Sequence, residues 1–169
     1  MQPQPQLLVS DRLDLVPLRA DQAREMAGVL SDPALHTFVG GSPSTPEALR
    51  ARYERLVAGS PDPAATWWNW VLRLRESGRL VGTVQATVTG EGRLAEIAWV
   101  VGTPWQGRGL ATEAARTLVD GLREQGVRTV VAHIHPEHHA SAAVAAAVGL
   151  APTGEEQDGE MRWRLAPAT

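Results

Sequence analysis

The sequence predicts a single α/β domain of the α+β type, with a mixed sheet of about seven strands flanked by about four helices. Three observations lead to this fold class. The chain has 169 residues, which is enough for one domain with a hydrophobic core. Most of the ordered stretches alternate apolar and polar residues, as strands do. Strands and helices do not alternate regularly, which argues against a sheet built from repeated βαβ units.

The N-terminal part contributes one strand and two helices. Residues 1–10 begin with MQPQPQ and are predicted to be a flexible arm, so that the domain comprises residues 11–169. Arg12–Leu18 alternates as a first strand. Helices are predicted over Ala20–Leu30 and Thr45–Ala58, and the second of them opens with a hydroxyl cap, a proline and an acid.

A β-meander of three strands follows. Trp67–Arg75 and Leu80–Val88 alternate well and are joined by a short polar turn. Leu94–Val101 is apolar apart from Glu96, which is the pattern of a strand buried on both faces. We therefore expect three consecutive antiparallel strands in the middle of the sheet.

The C-terminal part predicts two helices and three strands. A helix over Thr112–Gln125 has apolar residues at helical spacing. Arg128–His135 is the next strand, and Ala140–Val148 is a short, alanine-rich helix. Thr153–Leu165 is predicted to form a final hairpin whose turn is the Asp-Gly pair at residues 158–159.

The loop between the third meander strand and the following helix is suited to binding an anion. Its sequence is QGRGLA, and Gly107 and Gly109 leave the main-chain N–H groups accessible just before a helix N-terminus. A pair of glycines alone would equally fit a tight turn. The sequence lacks GK[ST] and the GxGxxG spacing, which argues against a P-loop and a dinucleotide-binding fold.

This loop resembles a known family signature. Gln106-x-x-Gly109-x-Ala111 is similar to the Q/R-x-x-G-x-G/A motif of the GNAT superfamily of N-acetyltransferases. The continuation ATEA resembles the branch that acetylates ribosomal-protein N-termini and related amines. The resemblance extends over residues 11–165 and is strongest over residues 96–150. It implies a GNAT fold, with a mostly antiparallel sheet that splays between its fourth and fifth strands.

The resemblance also implies how a co-substrate is held. In the family, the loop binds the pyrophosphate of acetyl-CoA, and the preceding strand hydrogen-bonds the pantetheine arm. The residues expected to bind acetyl-CoA are therefore Trp99, Val100, Val101, Gln106, Gly107, Arg108, Gly109, Leu110, Ala111 and Thr112.

A second motif adds two residues to this site. His138-x-x-Ser141 resembles the N-x-x-S segment of the same branch, with His138 in place of an asparagine that contacts CoA. His138 and Ser141 are therefore expected to contact the cofactor. In several relatives a tyrosine four residues beyond the serine protonates the leaving thiolate, but Ala145 occupies that position here. Ser141, a water molecule or His138 must then serve, or the thiolate leaves unassisted.

Glu96 is the best candidate for a catalytic base. An amine must be neutral to attack a thioester, and a lysine-like amine is almost entirely protonated at neutral pH. Burial of this carboxylate in an apolar strand would make it a stronger base. The alternative is a cross-strand salt bridge to Arg73 or Arg93, which is equally compatible with the sequence.

The histidines permit a metal-site hypothesis, which the sequence does not favour. His133, His135, His138 and His139 lie close together, but they lack an ordered ligand spacing and there is no cysteine. We predict polar cleft residues and no metal. A Ser141–His133 hydrolase is less plausible still, since there is no G-x-S-x-G elbow.

Composition limits the partners. The net charge is −3 with mixed signs, no nucleic-acid footprint is apparent, and no apolar run is long enough to span a bilayer. We expect a cytoplasmic enzyme, as a monomer or homodimer, whose partners are acetyl-CoA and an amine. The rival hypothesis is a non-catalytic acyl-CoA-binding regulatory module, which the missing tyrosine favours and Glu96 opposes.

The expected reaction is direct attack of the amine on acetyl-CoA in a ternary complex. The acceptor, a small amine or a peptide N-terminus, is expected to enter beside the first two helices through His36–Ser44. Phe38 would contact the acceptor in this segment. The segment has no acidic cluster, which argues against polyamines or aminoglycosides as acceptors.

Overall fold

The computed structural model describes residues 5–38 and 41–165. Within these ranges, eight strands and four α-helices form one sheet with helices on both faces. In chain order they are β1 (Leu8–Val9), β2 (Leu13–Pro17), α1 (Ala23–Val29), α2 (Pro46–Ala58), β3 (Thr66–Leu74), β4 (Leu80–Thr89), β5 (Leu94–Val101), α3 (Leu110–Glu124), β6 (Thr129–Ile134), α4 (His139–Ala147), β7 (Ala151–Gln157) and β8 (Glu160–Leu165).

The sheet has the order β1-β2-β3-β4-β5-β6-β8-β7. All neighbouring strands are antiparallel except β5 and β6, which are parallel. The parallel pairing covers only Leu94–Glu96 against Thr129–Val131. No pairing of the two strands is seen beyond Glu96 in the described residues, so the sheet splays there, as expected.

Hydrophobic cores lie on both faces of the sheet. On one face, α3 buries an apolar stripe that includes Ala114, Leu118 and Leu122 against the strands. On the other face, α1 and α2 form a smaller core around Met26 and Tyr53. The two helical layers leave the splayed end of β5 between them, and this places the candidate site.

The expectation that β5 is buried on both faces is wrong. Ala95 and Ile97 are buried on the α3 side, whereas Glu96 and Ala98 on the opposite face are exposed. The physical reason is that α1 packs on β4 and α2 packs on β3, so neither helix covers this part of β5. An apolar strand can thus have one open face where a cavity or cleft adjoins it.

The predicted helices and strands are found, with differences at their ends. The segment predicted as a helix over Ala20–Leu30 is a 3-10 turn at Ala20–Gln22 followed by α1. Leu8–Val9, which the sequence assigns to the flexible arm, pairs with β2 as β1. The Asp-Gly turn of the last hairpin is confirmed, since both residues have positive φ, 53° and 81°. No α-helix in residues 5–38 and 41–165 is long and apolar enough to cross a membrane.

Candidate active site

The chain passes from β5 to α3 through a loop that two glycines shape. Gly107 and Gly109 have φ of 79° and 77°, a region that strains residues with a Cβ. Gly109 is the N-cap of α3 in the left-handed conformation. The Gln106 side chain donates a hydrogen bond from Nε2 to the Val101 carbonyl at 2.9 Å, which ties the loop back to the end of β5.

The start of α3 presents main-chain donors. The first hydrogen bond at this helix end runs from the Glu113 N–H to the Gly109 carbonyl at 3.0 Å. The N–H groups of Leu110, Ala111 and Thr112 precede it and have no partner within the helix. Together with the helix dipole, these donors favour an anion such as a phosphate.

A set of hydrogen bonds to Glu113 and Arg108, here called the clamp, holds this loop and was not predicted from the sequence. The Glu113 carboxylate accepts hydrogen bonds from Ser10 Oγ at 2.6 Å, from the Arg12 N–H at 2.8 Å and from Arg12 Nε at 2.7 Å. Arg12 Nη1 also donates to the Arg108 carbonyl at 2.8 Å. Burial raises the pKa of Glu113, but these hydrogen bonds outweigh it and hold that pKa below its usual value. The carboxylate therefore stays ionised and maintains its salt bridge with Arg12.

The loop, the end of β5 and the start of α4 enclose a cavity of about 450 Å³, here called the loop cavity. Nearly all the residues predicted to bind acetyl-CoA line it. They are Trp99, Val100, Val101, Gln106, Gly107, Gly109, Leu110, Ala111, Thr112, His138 and Ser141. Arg108 is the exception: it does not line the cavity, and its carbonyl is held by Arg12.

His138 and Ser141 form a hydrogen-bonded pair in this cavity. Ser141 Oγ lies 3.2 Å from His138 Nε2. Burial lowers the pKa of His138, and the neighbouring His135 and His139 lower it further. The Phe38 ring stacks on the imidazole of His138, with centroids 4.5 Å apart. The imidazole is therefore held neutral and fixed in orientation.

A second cavity of about 500 Å³ lies between α2, the segment that follows α1 and the facing strands, and is here called the helix-side cavity. Its floor is the sheet surface formed by β3, β4 and β5. The two cavities share four lining residues: Leu35, Trp99, Val100 and His138. They therefore meet along β5, beyond the point where it separates from β6.

The segment His36–Ser44 lies at both cavities. His36, Ser42 and Ser44 line the helix-side cavity. Phe38 instead lines the loop cavity, where it contacts His138 and His135. Residues 39 and 40 of this segment lie outside the described residues.

Glu96 is close to this junction without lining either cavity. Its side chain is 49% exposed, so the expectation of burial is wrong. Its carboxylate pairs with His133 Nδ1. The alternative pairing with Arg73 is not found, because Arg73 donates to Asp14 at 2.9 Å. Glu96 lies on the same face of β5 as Ala98, which lines the helix-side cavity.

His133, His135 and His138 each form a hydrogen bond with a different partner. His133 pairs with Glu96, while His135 Nδ1 accepts a hydrogen bond from the Glu137 N–H at 3.0 Å. His138 contacts Ser141. The described part of the chain contains no group of three or more His, Cys, Asp or Glu side chains arranged to hold a metal.

Comparison with known proteins identifies the family. Residues 12–151 match the family model of the acetyltransferase (GNAT) domain, which is most of the chain. No curated protein matches the chain at a significant level.

Solved structures share the fold over nearly the whole length. A GNAT-family acetyltransferase from Bacillus anthracis matches with a TM-score of 0.81 and 19% identity, over 95% of this chain and 98% of that one. The ribosomal-protein-S5-alanine acetyltransferase from Vibrio fischeri gives 0.77 and 19%, over 95% and 94%. The ribosomal L7/L12 alpha-N-protein acetyltransferase RimL, in complex with coenzyme A, gives 0.80 and 15%, over 96% and 98%. These structures show the shared fold, and the family model shows that the chain belongs to the GNAT family of acetyltransferases.

Proposed function

We propose that the chain binds acetyl-CoA in the loop cavity and an amine acceptor in the helix-side cavity, and that the amine attacks the thioester directly in a ternary complex. The observation that carries this proposal is the meeting of the two cavities at Trp99, Val100 and His138. Two substrates that enter from opposite sides of the sheet can touch there, so no covalent enzyme intermediate is needed.

The co-substrate is held mainly by the main chain. The diphosphate lies at the N–H groups of residues 108–112, where a helix start and two glycines allow close approach. The pantetheine arm runs along β5 beyond Glu96, where β6 has separated and leaves that edge of the strand open. RimL in complex with coenzyme A has the same overall fold, which supports this arrangement.

The chemistry requires one proton to leave the amine and one to reach the sulfur. The amine nitrogen attacks the thioester carbonyl, and the C–S bond breaks as the amide forms. Glu96 accepts the amine proton through a water molecule, since it lies beside the cavity rather than in it. Ser141, held by His138, donates a hydrogen bond to the departing sulfur, and the thiolate then takes its proton from solvent.

The acceptor is a primary amine on a small molecule or at a peptide N-terminus. The helix-side cavity is open at His36, Ser42 and Ser44, so a body larger than the cavity can extend outwards. Among the described residues, no Asp or Glu lines the cavity, which makes a polycationic acceptor unfavourable.

The test is amine-dependent release of CoA. The purified chain is incubated with acetyl-CoA and a panel of primary amines, thiol release is followed, and products are identified by mass spectrometry. We expect release to require an amine and to give the N-acetylated product. Hydrolysis of acetyl-CoA at the same rate without any amine would contradict the proposal.

A further inference from the structure

The helix-side cavity has an uneven charge. Apolar side chains of α2, together with Leu18 before α1 and Leu30 after it, form much of its wall, and the amides of Asn69 and Gln85 lie on its floor. Arg52 is the one Lys, Arg, Asp or Glu among the described residues of its lining. The wall formed by α2 therefore presents a positive charge that no carboxylate of the cavity balances.

Arg52 has no partner among the described residues. It forms no hydrogen bond or ion pair there, whereas Arg50 on the same helix pairs with Glu54 at 3.2 Å. The reason is its position on α2. Side chains three or four residues away can reach one another on a helix, and for Arg52 these are Ala48, Leu49, Arg55 and Leu56. None of them can accept a hydrogen bond, so the guanidinium is free to meet a ligand.

Tyr53, the next residue, carries a second unused donor. The residue is 4% exposed, and its hydroxyl has no hydrogen-bond partner in the described structure. Burial raises the pKa of Tyr53 to about 12, against a smaller opposing effect of the Arg52 charge, so the hydroxyl keeps its proton. A buried hydroxyl without a partner is destabilising, and native proteins retain few of them. Because Tyr53 lines the helix-side cavity, a ligand bound there is the candidate partner of this hydroxyl.

From these two donors we infer that the acceptor amine carries a carboxylate, which Arg52 and Tyr53 bind while the amine reaches the junction at Val100 and His138. This rests on the proposed function of the two cavities. A guanidinium and a hydroxyl whose residues line one cavity suit a carboxylate, which accepts several charge-assisted hydrogen bonds. The cavity volume of about 500 Å³ suits a small molecule. The substrate class is therefore an amine with a carboxylate several bonds away.

The test compares amines that differ only in this carboxylate. Initial rates of CoA release are measured with β-alanine and its longer homologues up to 6-aminohexanoate, and with n-alkylamines of equal length. We expect kcat/KM to be about tenfold or more higher for the amino acids at a preferred length. A second arm uses the tripeptide amides Ala-Asp-Ala and Ala-Asn-Ala. Preference for the Asp peptide over the free amino acids would place the carboxylate on a peptide.

Charge reversal at Arg52 tests whether this residue binds the carboxylate. Arg52→Glu should remove the preference for amino acids and favour 1,5-diaminopentane. Arg55→Glu is the matched control, since Arg55 is exposed on the same helix and lines neither cavity. It should leave the wild-type preference unchanged.

Tyr53→Phe separates recognition from structure. The variant should raise KM several-fold for the amino acids but not for the alkylamines. Its unfolding free energy without ligand should not fall, because an unpartnered hydroxyl is removed. A loss of stability without a selective change in KM would make the hydroxyl a structural group and overturn its assignment.

Two outcomes distinguish this inference from the function on which it rests. Equal kcat/KM for amino acids and alkylamines, unchanged by Arg52→Glu, would overturn the carboxylate assignment and leave amine acetylation intact. Failure of every amine to release CoA, from protein that still binds acetyl-CoA, would contradict amine acetylation and this inference together.

Discussion

His138 is the residue on which both cavities converge. Its imidazole is stacked on Phe38 and hydrogen-bonded to Ser141, and burial lowers its pKa. A neutral ring can fill the place of the asparagine that the family pattern has there, because both offer a hydrogen-bonding nitrogen. We therefore assign His138 to binding rather than to proton transfer.

The first prediction concerns His138→Asn. The affinity for acetyl-CoA and the turnover should change by no more than about threefold, since one hydrogen-bonding group replaces another. In the wild type, the pKa of His138 is lower in the folded than in the unfolded protein, where it is about 6.5. The free energy of unfolding is therefore highest above that pH and falls as the pH drops from there towards the folded pKa. The variant should lose less stability between neutral and acid pH, as measured by denaturant unfolding. A large fall in turnover with unchanged CoA affinity would instead make His138 an acid or base.

Glu96 lies on the predicted strand but is more exposed than its apolar neighbours led us to expect. Its isolation in an apolar strand drew attention to it, and we retain it as the proposed base. Its partner could not be read from the sequence, because the pairing with His133 depends on the short parallel register between β5 and β6.

The second prediction follows from that placement. Glu96→Gln should lower kcat by about 100-fold, the usual size of a general-base contribution, and leave the affinity for acetyl-CoA unchanged. Glu91→Gln, on the turn before β5, is the control and should behave as wild type. If the Glu96 variant keeps the wild-type rate and pH profile, the Glu96–His133 pair is only structural.

At the scale of elements, the loop and helix α3 form the most predictable part of the molecule. Their information is local: glycines where φ is positive, an apolar stripe at helical spacing and donors at a helix start. The family, the fold and the enzyme class that this segment predicted are confirmed by the family model. The clamp on Glu113 was not predictable, because Arg12 is 101 positions away and resembles any surface arginine in the sequence.

The third prediction tests the loop. Gly109→Glu should weaken acetyl-CoA binding at least tenfold by calorimetry, since it adds negative charge where we propose that the diphosphate lies and strains a left-handed residue. Gly126→Glu is the control, because Gly126 follows the other end of α3, also has a positive φ of 98° and has open space around it. Equal binding by the two variants would place the diphosphate elsewhere.

At the scale of the whole molecule, the fold determines which of the two cavities each segment lines. The sequence placed the His36–Ser44 segment at the acceptor, and its residues divide between the two cavities. Phe38 lines the loop cavity, where its ring stacks on His138 at the start of α4. Contacts between a loop and a distant helix depend on the assembled fold, so side-chain placement here was beyond sequence analysis.

The fourth prediction reverses the expectation from the sequence. Phe38→Ala should raise the KM for acetyl-CoA several-fold and leave the acceptor KM unchanged, because it opens the wall of the loop cavity. Val57→Ala, which trims an exposed apolar side chain of α2, should change neither constant. A rise in the acceptor KM alone would restore the original assignment.

The clamp on Glu113 also has a practical side. Ser10 and Arg12 lie between β1 and β2 and contact the start of α3. Removing the N-terminal segment would therefore remove the contacts that hold the loop in place. A chain that starts at residue 13 would retain every described lining residue of both cavities. The carboxylate of Glu113 would lose its three hydrogen-bond donors. Tags and fusions at this end are better joined ahead of β1, and libraries that randomise the opening residues should spare these two.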